Sequence, residues 1–134
     1  MIAEETTKRL DFGALRLAIE ARDPDALTGF YAEDADLRIV HAVLPEGQVF
    51  ELKGRSQIER YLRAVCYQEM TCSVNGGVVL GEGSIEFVEM CAYPNGTTIL
   101  VRTRLELAGS LIMRQTDVVE RAGGDDRRDD RSEG

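Results

Sequence analysis

The feature that most limits what this chain can fold into is the stretch from Ser84 to Glu120, where three apolar-rich runs are joined by two short turns. Ser84–Tyr93, Thr97–Ala108 and Ser110–Arg121 are each long enough for a full strand, and Pro94-Asn95-Gly96 and Ala108-Gly109-Ser110 carry turn residues between them. Strands joined this tightly lie side by side and antiparallel, because parallel neighbours need a crossover of about a dozen residues or more. A meander of this kind has an apolar face to cover, and the rest of the chain reads as the cover.

The covering elements lie upstream. Lys8 to Arg22 reads as a helix in which Arg9, Arg16 and Glu20 form one polar stripe. Leu10, Ala14, Leu17, Ala18 and Ala21 flank it on one side, and Phe12, Leu15 and Ile19 on the other, so burial on more than one side is predicted. Asp23-Pro24 starts a second helix, about Pro24 to Ala32, with Asp as N-cap and Pro where its missing N–H costs nothing. Ala35 to Val43 alternates, with Leu37, Ile39, His41 and Val43 on one face of a half-buried strand. Leu44-Pro45-Glu46-Gly47 then turns the chain toward a short strand at Val49–Leu52. Ser56 and Glu59 form a capping box that opens a third helix, Gln57 to Cys66, burying Ile58, Tyr61, Leu62 and Val65. Met70 to Leu80 is a strand in which Asn75-Gly76-Gly77 predicts a bulge, and Gly81-Glu82-Gly83 turns into the meander. The fold class is therefore α+β: a strongly bent antiparallel sheet, capped by three helices from the N-terminal half, enclosing a conical cavity.

One domain is expected over residues 8–121, with a flexible N-terminus at 1–7 and a disordered charged tail at 122–134 that has too few hydrophobic residues to order itself. The net charge of −8 argues against nucleic acid, whose phosphates call for clustered Lys and Arg. No apolar run approaches the roughly 20 residues of a membrane span, and the N-terminal residues have no signal-peptide centre. Cys66, Cys72 and Cys91 then read as reduced, buried thiols of a cytoplasmic protein. One His and three dispersed Cys offer no zinc-ligand spacing, and no glycine loop precedes a helix as a nucleotide site requires, so no metal or cofactor is expected.

In four places the residues resemble the nuclear-transport-factor-2-like superfamily, and within it the SnoaL-like proteins. They are Ala21-Arg22-Asp23-Pro24-Asp25 with Phe30-Tyr31-Ala32-Glu33-Asp34-Ala35, Leu52-Lys53-Gly54-Arg55, Tyr93-Pro94-Asn95-Gly96-Thr97, and Gly109 to Asp117 on the last strand. The resemblance implies a cone-shaped α+β barrel, frequent homodimerisation, and roles from isomerase, cyclase and epoxide hydrolase to binding without catalysis. Ketosteroid isomerases of this fold use an Asp base and a Tyr whose positions match Ile39 and Leu15 here, and aliphatic side chains can do neither job. Limonene epoxide hydrolase-like members hold water with a Tyr and an Asn where this chain has Leu37 and Ile39. Their Arg-x-Asp pair falls near Glu86 and Val88 or, with a shift of one, Phe87 and Glu89; only their last-strand Asp has a clean counterpart, Asp117.

Parity on the last strand places Leu111, Met113, Gln115, Asp117 and Val119 on one face, by resemblance the cavity face. The neighbouring strand then presents Ile99, Val101, Thr103 and Leu105 inward and Arg102, Arg104 and Glu106 outward; Phe87, Glu89, Cys91 and Tyr93 are assigned inward on Ser84–Tyr93. A carboxyl group in an apolar cone has its charged form disfavoured, which suits general acid or base work, so Asp117 and Glu89 are the catalytic candidates. The competing reading pairs Asp117 with Arg114 or another cation and turns Glu89 outward. Tyr93, Gln115, Thr103, His41, Tyr61, Ile39, Leu37 and Met113 are the candidate pocket residues. Three functions fit: a cofactor-independent isomerase, cyclase or hydrolase acting on an apolar metabolite; a ligand-binding or dimeric accessory module; and an interaction domain whose cone is filled by its own side chains.

Overall fold

The computed structural model describes residues 10–41, 48–80 and 83–121. Helix α1 (Phe12–Ala21) starts where Asp11 Oδ1 accepts the amide of Ala14 at 3.1 Å, and stops at Arg22 in the left-handed conformation, φ 55°. It begins later than expected because Asp11 caps it, and Lys8 and Arg9 lie outside the described residues. Burial is confined to one side, where Leu15 and Ala18 are covered and Leu17 remains 68% exposed, so the expected two-sided burial is not found. Helix α2 (Pro24–Thr28) has the Asp23 cap and leading proline the sequence predicts, its Oδ1 accepting the amides of Asp25 and Ala26. It ends short of Ala32, because Phe30 O accepts the amide of Ile112 at 2.8 Å and Tyr31 joins the sheet. In α3 (Arg55–Cys66) the N-cap is Gly54 at φ 89°, and no capping box forms. Instead Gln57 Oε1 accepts the amide of Lys53, while Glu59 pairs with Arg63.

Six strands follow in the order β2-β1-β6-β5-β4-β3, with β1 Tyr31–His41, β2 Gln48–Lys53, β3 Thr71–Val79, β4 Ser84–Ala92, β5 Thr98–Ala108 and β6 Leu111–Arg121. The meander β3–β6 is antiparallel as expected, but β1 lies parallel to β6, so the sheet is mixed. With β2 and β3 as free edges it is an open, cone-like sheet and not a closed barrel. A bulge interrupts β3 between Asn75 and Val78, where Gly76 and Gly77 adopt φ 79° and 119°. Gly77 has a second constraint: a Cβ there would stand 2.5 Å from Cε2 of Phe12. β3 is an edge strand, so alternate amides lack a ladder partner, and Glu20 Oε2 accepts the Val74 amide at 2.9 Å.

The core lies between the inner sheet face and the helices, around Leu15, Leu37, Ile58, Phe87, Leu105 and Ile112. A second bulge decides the parity of β6. Glu106 faces Arg114 while Leu107 faces Ile112, so Met113 is the extra residue. Ile112 is therefore fully buried and Leu111 36% exposed, which removes Leu111 and Met113 from the cavity wall, contrary to expectation. Beyond the bulge the odd residues face inward, as expected. The residues expected to be flexible or disordered (1–7 and 122–134), Val43 with the turn after it, and Gly81-Glu82 lie outside the described residues. No helix among the described residues is long and apolar enough to cross a membrane.

Candidate functional site

A cavity of about 330 Å³ opens between the inner face of the sheet and all three helices. The helices supply Leu15, Ile19, Leu27, Tyr61, Leu62 and Val65 to its wall; the strands supply Leu37, Ile39, Phe87, Val101 and Leu105. The cone is hollow, so its own side chains do not fill it. Two ionisable acids face this apolar interior.

Asp117 stands on β6 between Ile39 of β1 and Thr103 of β5, and is 9% exposed. Its Oδ1 accepts from Thr103 Oγ1 and from Gln115 Nε2, each at 3.0 Å. Neither donor is charged, and Arg114 instead meets Glu106 on the opposite face. Burial pushes the Asp117 carboxyl up to about 6, against the pull of the two hydrogen bonds. Glu89, on β4, also faces inward, and burial raises it to about 8, helped by the charge of Asp117 and by Cys72. The reading with Glu89 outside and Asp117 ion-paired is therefore not the one the fold adopts.

The pocket candidates separate into two groups. Leu37, Ile39, His41, Tyr61, Tyr93 and Gln115 line the cavity. Thr103 and Met113 do not: Thr103 is buried behind Asp117 as its hydrogen-bond donor, and Met113 sits in the bulge. His41 packs edge-on against Phe50, with ring centroids 5.5 Å apart. Gln115 is held in turn by Tyr31, whose hydroxyl donates to Oε1 at 2.6 Å, making a chain from Tyr31 through Gln115 to Asp117. Tyr61 and Tyr93 line the cavity, and their hydroxyls find no hydrogen-bond partner among the described residues. Burial raises the pKa of Tyr61 above the ordinary tyrosine range, so it remains a donor.

Sequence reasoning missed three contributors. Tyr31 was assigned to a helix end and instead orients Gln115. Arg22 lines the cavity and donates from Nη2 to the carbonyls of Val65 at 2.9 Å, Cys66 at 2.7 Å and Gln68, closing the C-terminal end of α3. The third is the pairing of Cys91, expected inward, with Cys72 across β3 and β4, sulfurs 3.0 Å apart, on a cavity wall that Cys66 also joins. Either sulfur can donate in this contact; the shared hydrogen bond, with nearby Arg22, lowers the Cys72 thiol to about 7 and raises that of Cys91. The signal for this pair was present, since Cys72 and Cys91 are almost equidistant from the turn at Gly81-Glu82-Gly83. Glu89 lies next to them, and one donor atom from each of the three residues falls within 4.8 Å of the others.

No family model and no curated protein matches this chain. Solved structures do. A protein from Kribbella flavida DSM 17836 provisionally assigned as a ketosteroid isomerase is 17% identical, with a TM-score of 0.65 over 84% of this chain and 77% of its own. An NTF2-like protein of unknown function from Mesorhizobium loti is also 17% identical, with a TM-score of 0.66 over 81% and 87%. A provisionally assigned polyketide cyclase from Sinorhizobium meliloti follows at 17% and 0.61, over 79% and 91%. At such identities the likeness is one of fold alone, the α+β cone described above.

Proposed function

We propose that this protein takes an apolar metabolite into the cavity and moves a proton on it without a cofactor, as an isomerase, cyclase or hydrolase of the general acid–base type. The observation that carries this reading is Asp117, a buried carboxyl group that faces an apolar hollow with neutral donors and, among the described residues, no cation beside it. Two acids whose environments separate their pKa values are suited to divide the work. Near pH 7 Asp117, with a pKa of about 6, is mostly the carboxylate base, and Glu89, at about 8, is mostly the neutral acid. Tyr61 and Tyr93 then offer hydroxyls to a ligand carbonyl. Binding of 2-naphthol, a neutral aromatic that donates its hydroxyl to a carboxylate, tests the base. Its affinity should rise with a midpoint near 6 in the wild type, the pKa of Asp117, and lose that dependence in Asp117→Asn. An identical pH profile in both proteins removes Asp117 from the mechanism.

The second reading is a ligand-binding or accessory module without turnover. It is favoured by Leu15, Leu37 and Ile39, aliphatic groups that line the wall at positions where catalytic relatives carry polar ones. Turnover by the wild type, lost in Asp117→Asn, separates the two. The free thiols suit a reducing compartment such as the cytoplasm. On the outer sheet face Val88, Met90, Leu100 and Val118 form a half-buried apolar stripe flanked by ion pairs, which suits a homodimer and is tested by sedimentation.

A further inference from the structure

We propose that Cys72, Cys91 and Glu89 bind a thiophilic divalent cation, Zn²⁺ being the first candidate, with its fourth coordination position open to the cavity. The three donors belong to adjacent rungs of one sheet face. Cys72 and Cys91 are directly opposite on β3 and β4, and Glu89 precedes Cys91 by two residues, so strand pleat and register aim all three the same way. The spacing fits a tetrahedral ion. With zinc–sulfur bonds of about 2.3 Å and zinc–oxygen bonds of about 2.0 Å, the sulfur–oxygen edge is about 3.5 Å, and Cys91 Sγ stands 3.6 Å from Glu89 Oε2. The sulfur–sulfur edge should be about 3.8 Å, wider than the 3.0 Å between the hydrogen-bonded thiols. Side-chain rotation on β3, an edge strand, can supply that opening without moving the ladder.

Charge points the same way. Two thiolates and a carboxylate carry three negative charges, and Arg22, close enough to favour the Cys72 thiolate, supplies one positive charge. A divalent cation brings the group to neutrality inside an apolar wall, where uncompensated charge is costly. Two sulfur donors select a soft metal over Mg²⁺ or Ca²⁺, which take oxygen shells. Three protein ligands with a cavity-facing fourth position is the arrangement of an open zinc site and not of a closed structural one. The inference shares Glu89 with the acid–base reading but leaves Asp117 out of the site, since Asp117 is neither a metal donor nor bonded to one. With the cation in place Glu89 serves as its ligand, and Asp117 alone remains for proton transfer.

Cobalt titration of fully reduced, chelator-stripped protein tests the site. The wild type should develop a thiolate-to-cobalt charge-transfer band together with tetrahedral ligand-field bands, and one equivalent of Zn²⁺ should bleach both. Cys72→Ser, at a half-buried position, and Glu89→Gln should each weaken cobalt binding by at least 10-fold. Cys66→Ser should leave it unchanged, and Asp117→Asn should keep the charge-transfer band even where it loses the pH dependence of 2-naphthol binding. Thiol counting and circular dichroism establish that each variant is reduced and folded. Reduced wild-type protein that shows no charge-transfer band, or a band of equal intensity in Cys72→Ser, overturns the proposal whatever the fate of the acid–base reading.

Discussion

The two faces of the meander carry similar acids in opposite circumstances. On the outer face Glu86 meets Arg104 at 2.9 Å, Glu120 meets Arg102 at 3.1 Å and Glu106 meets Arg114 at 3.7 Å, all with about half or a third of their surface in water. On the inner face Glu89 and Asp117 meet thiols, a threonine and a glutamine, and among the described residues no guanidinium. Glu86 and Glu89 are three residues apart on one strand, as are Asp117 and Glu120 on another, so sequence neighbourhood does not distinguish them. Side-chain alternation does. An exposed ion pair contributes about 0–1 kcal/mol, because water already solvates both partners. A carboxylate on the inner wall gives up that solvation and answers by holding its proton more tightly.

The sharpest way to break this contrast is to open the inner wall. Leu105→Ala, at a residue 1% exposed, should cost about 2–5 kcal/mol in a denaturant melt, and a loss under about 1 kcal/mol would mean the wall is loosely packed. Next comes the charge on Asp117. Its folded pKa of about 6 lies above the ordinary 3.8, so folding favours the protonated form. The stability this brings is complete below the unfolded value and is lost as pH rises through about 6. Asn keeps an acceptor for Thr103 and Gln115 but has no charge to bury. Asp117→Asn should therefore match the wild type near pH 4 and exceed it by about 1–3 kcal/mol near pH 8; parallel stability curves would show that Asp117 is solvated after all. Tyr31→Phe removes the 2.6 Å hydrogen bond to Gln115 and should lower stability by about 1 kcal/mol, with a measurable change in the pH midpoint of 2-naphthol binding because Gln115 is freed to turn. The smallest effect belongs to the outer face, where Arg104→Ala should change stability by less than about 1 kcal/mol, and less again at high salt. A larger loss there would erase the distinction between the faces.

Most of what places the acids was legible because it is local. Alternation on β4, β5 and β6 identifies Phe87, Glu89, Thr103 and Asp117 as inner-face residues, and Asp23-Pro24 and Gly76-Gly77 mark a helix start and a bulge through backbone chemistry alone. The failures involve partners distant in sequence. Nothing near Tyr31 announces that it pairs with Ile112, yet that pairing ends α2 early and makes β1 parallel to β6. The bulge at Met113 has no glycine to signal it and shifts parity for the first turn of β6 only, which is why Leu111 and Met113 were misplaced while Asp117 was not. The capping box at Ser56 loses to Gln57, whose amide oxygen reaches back to Lys53 once β2 has delivered the chain in the right direction. The thiol pair required a register across a hairpin, and register is a property of two strands together.

β6 lies between β1 and β5, whereas β3 has only β4 beside it. Amides laddered on both sides exchange with solvent last, and those of a lone edge interrupted by glycines exchange first. The cavity thus has a slow wall and a fast one. Asp117 is expected to open last, with the central strands, and Cys72 first, with the edge. A guest would enter past the thiols and be met by an acid whose position does not fluctuate, with deuterium uptake at Cys72 preceding uptake at Asp117 by orders of magnitude in time.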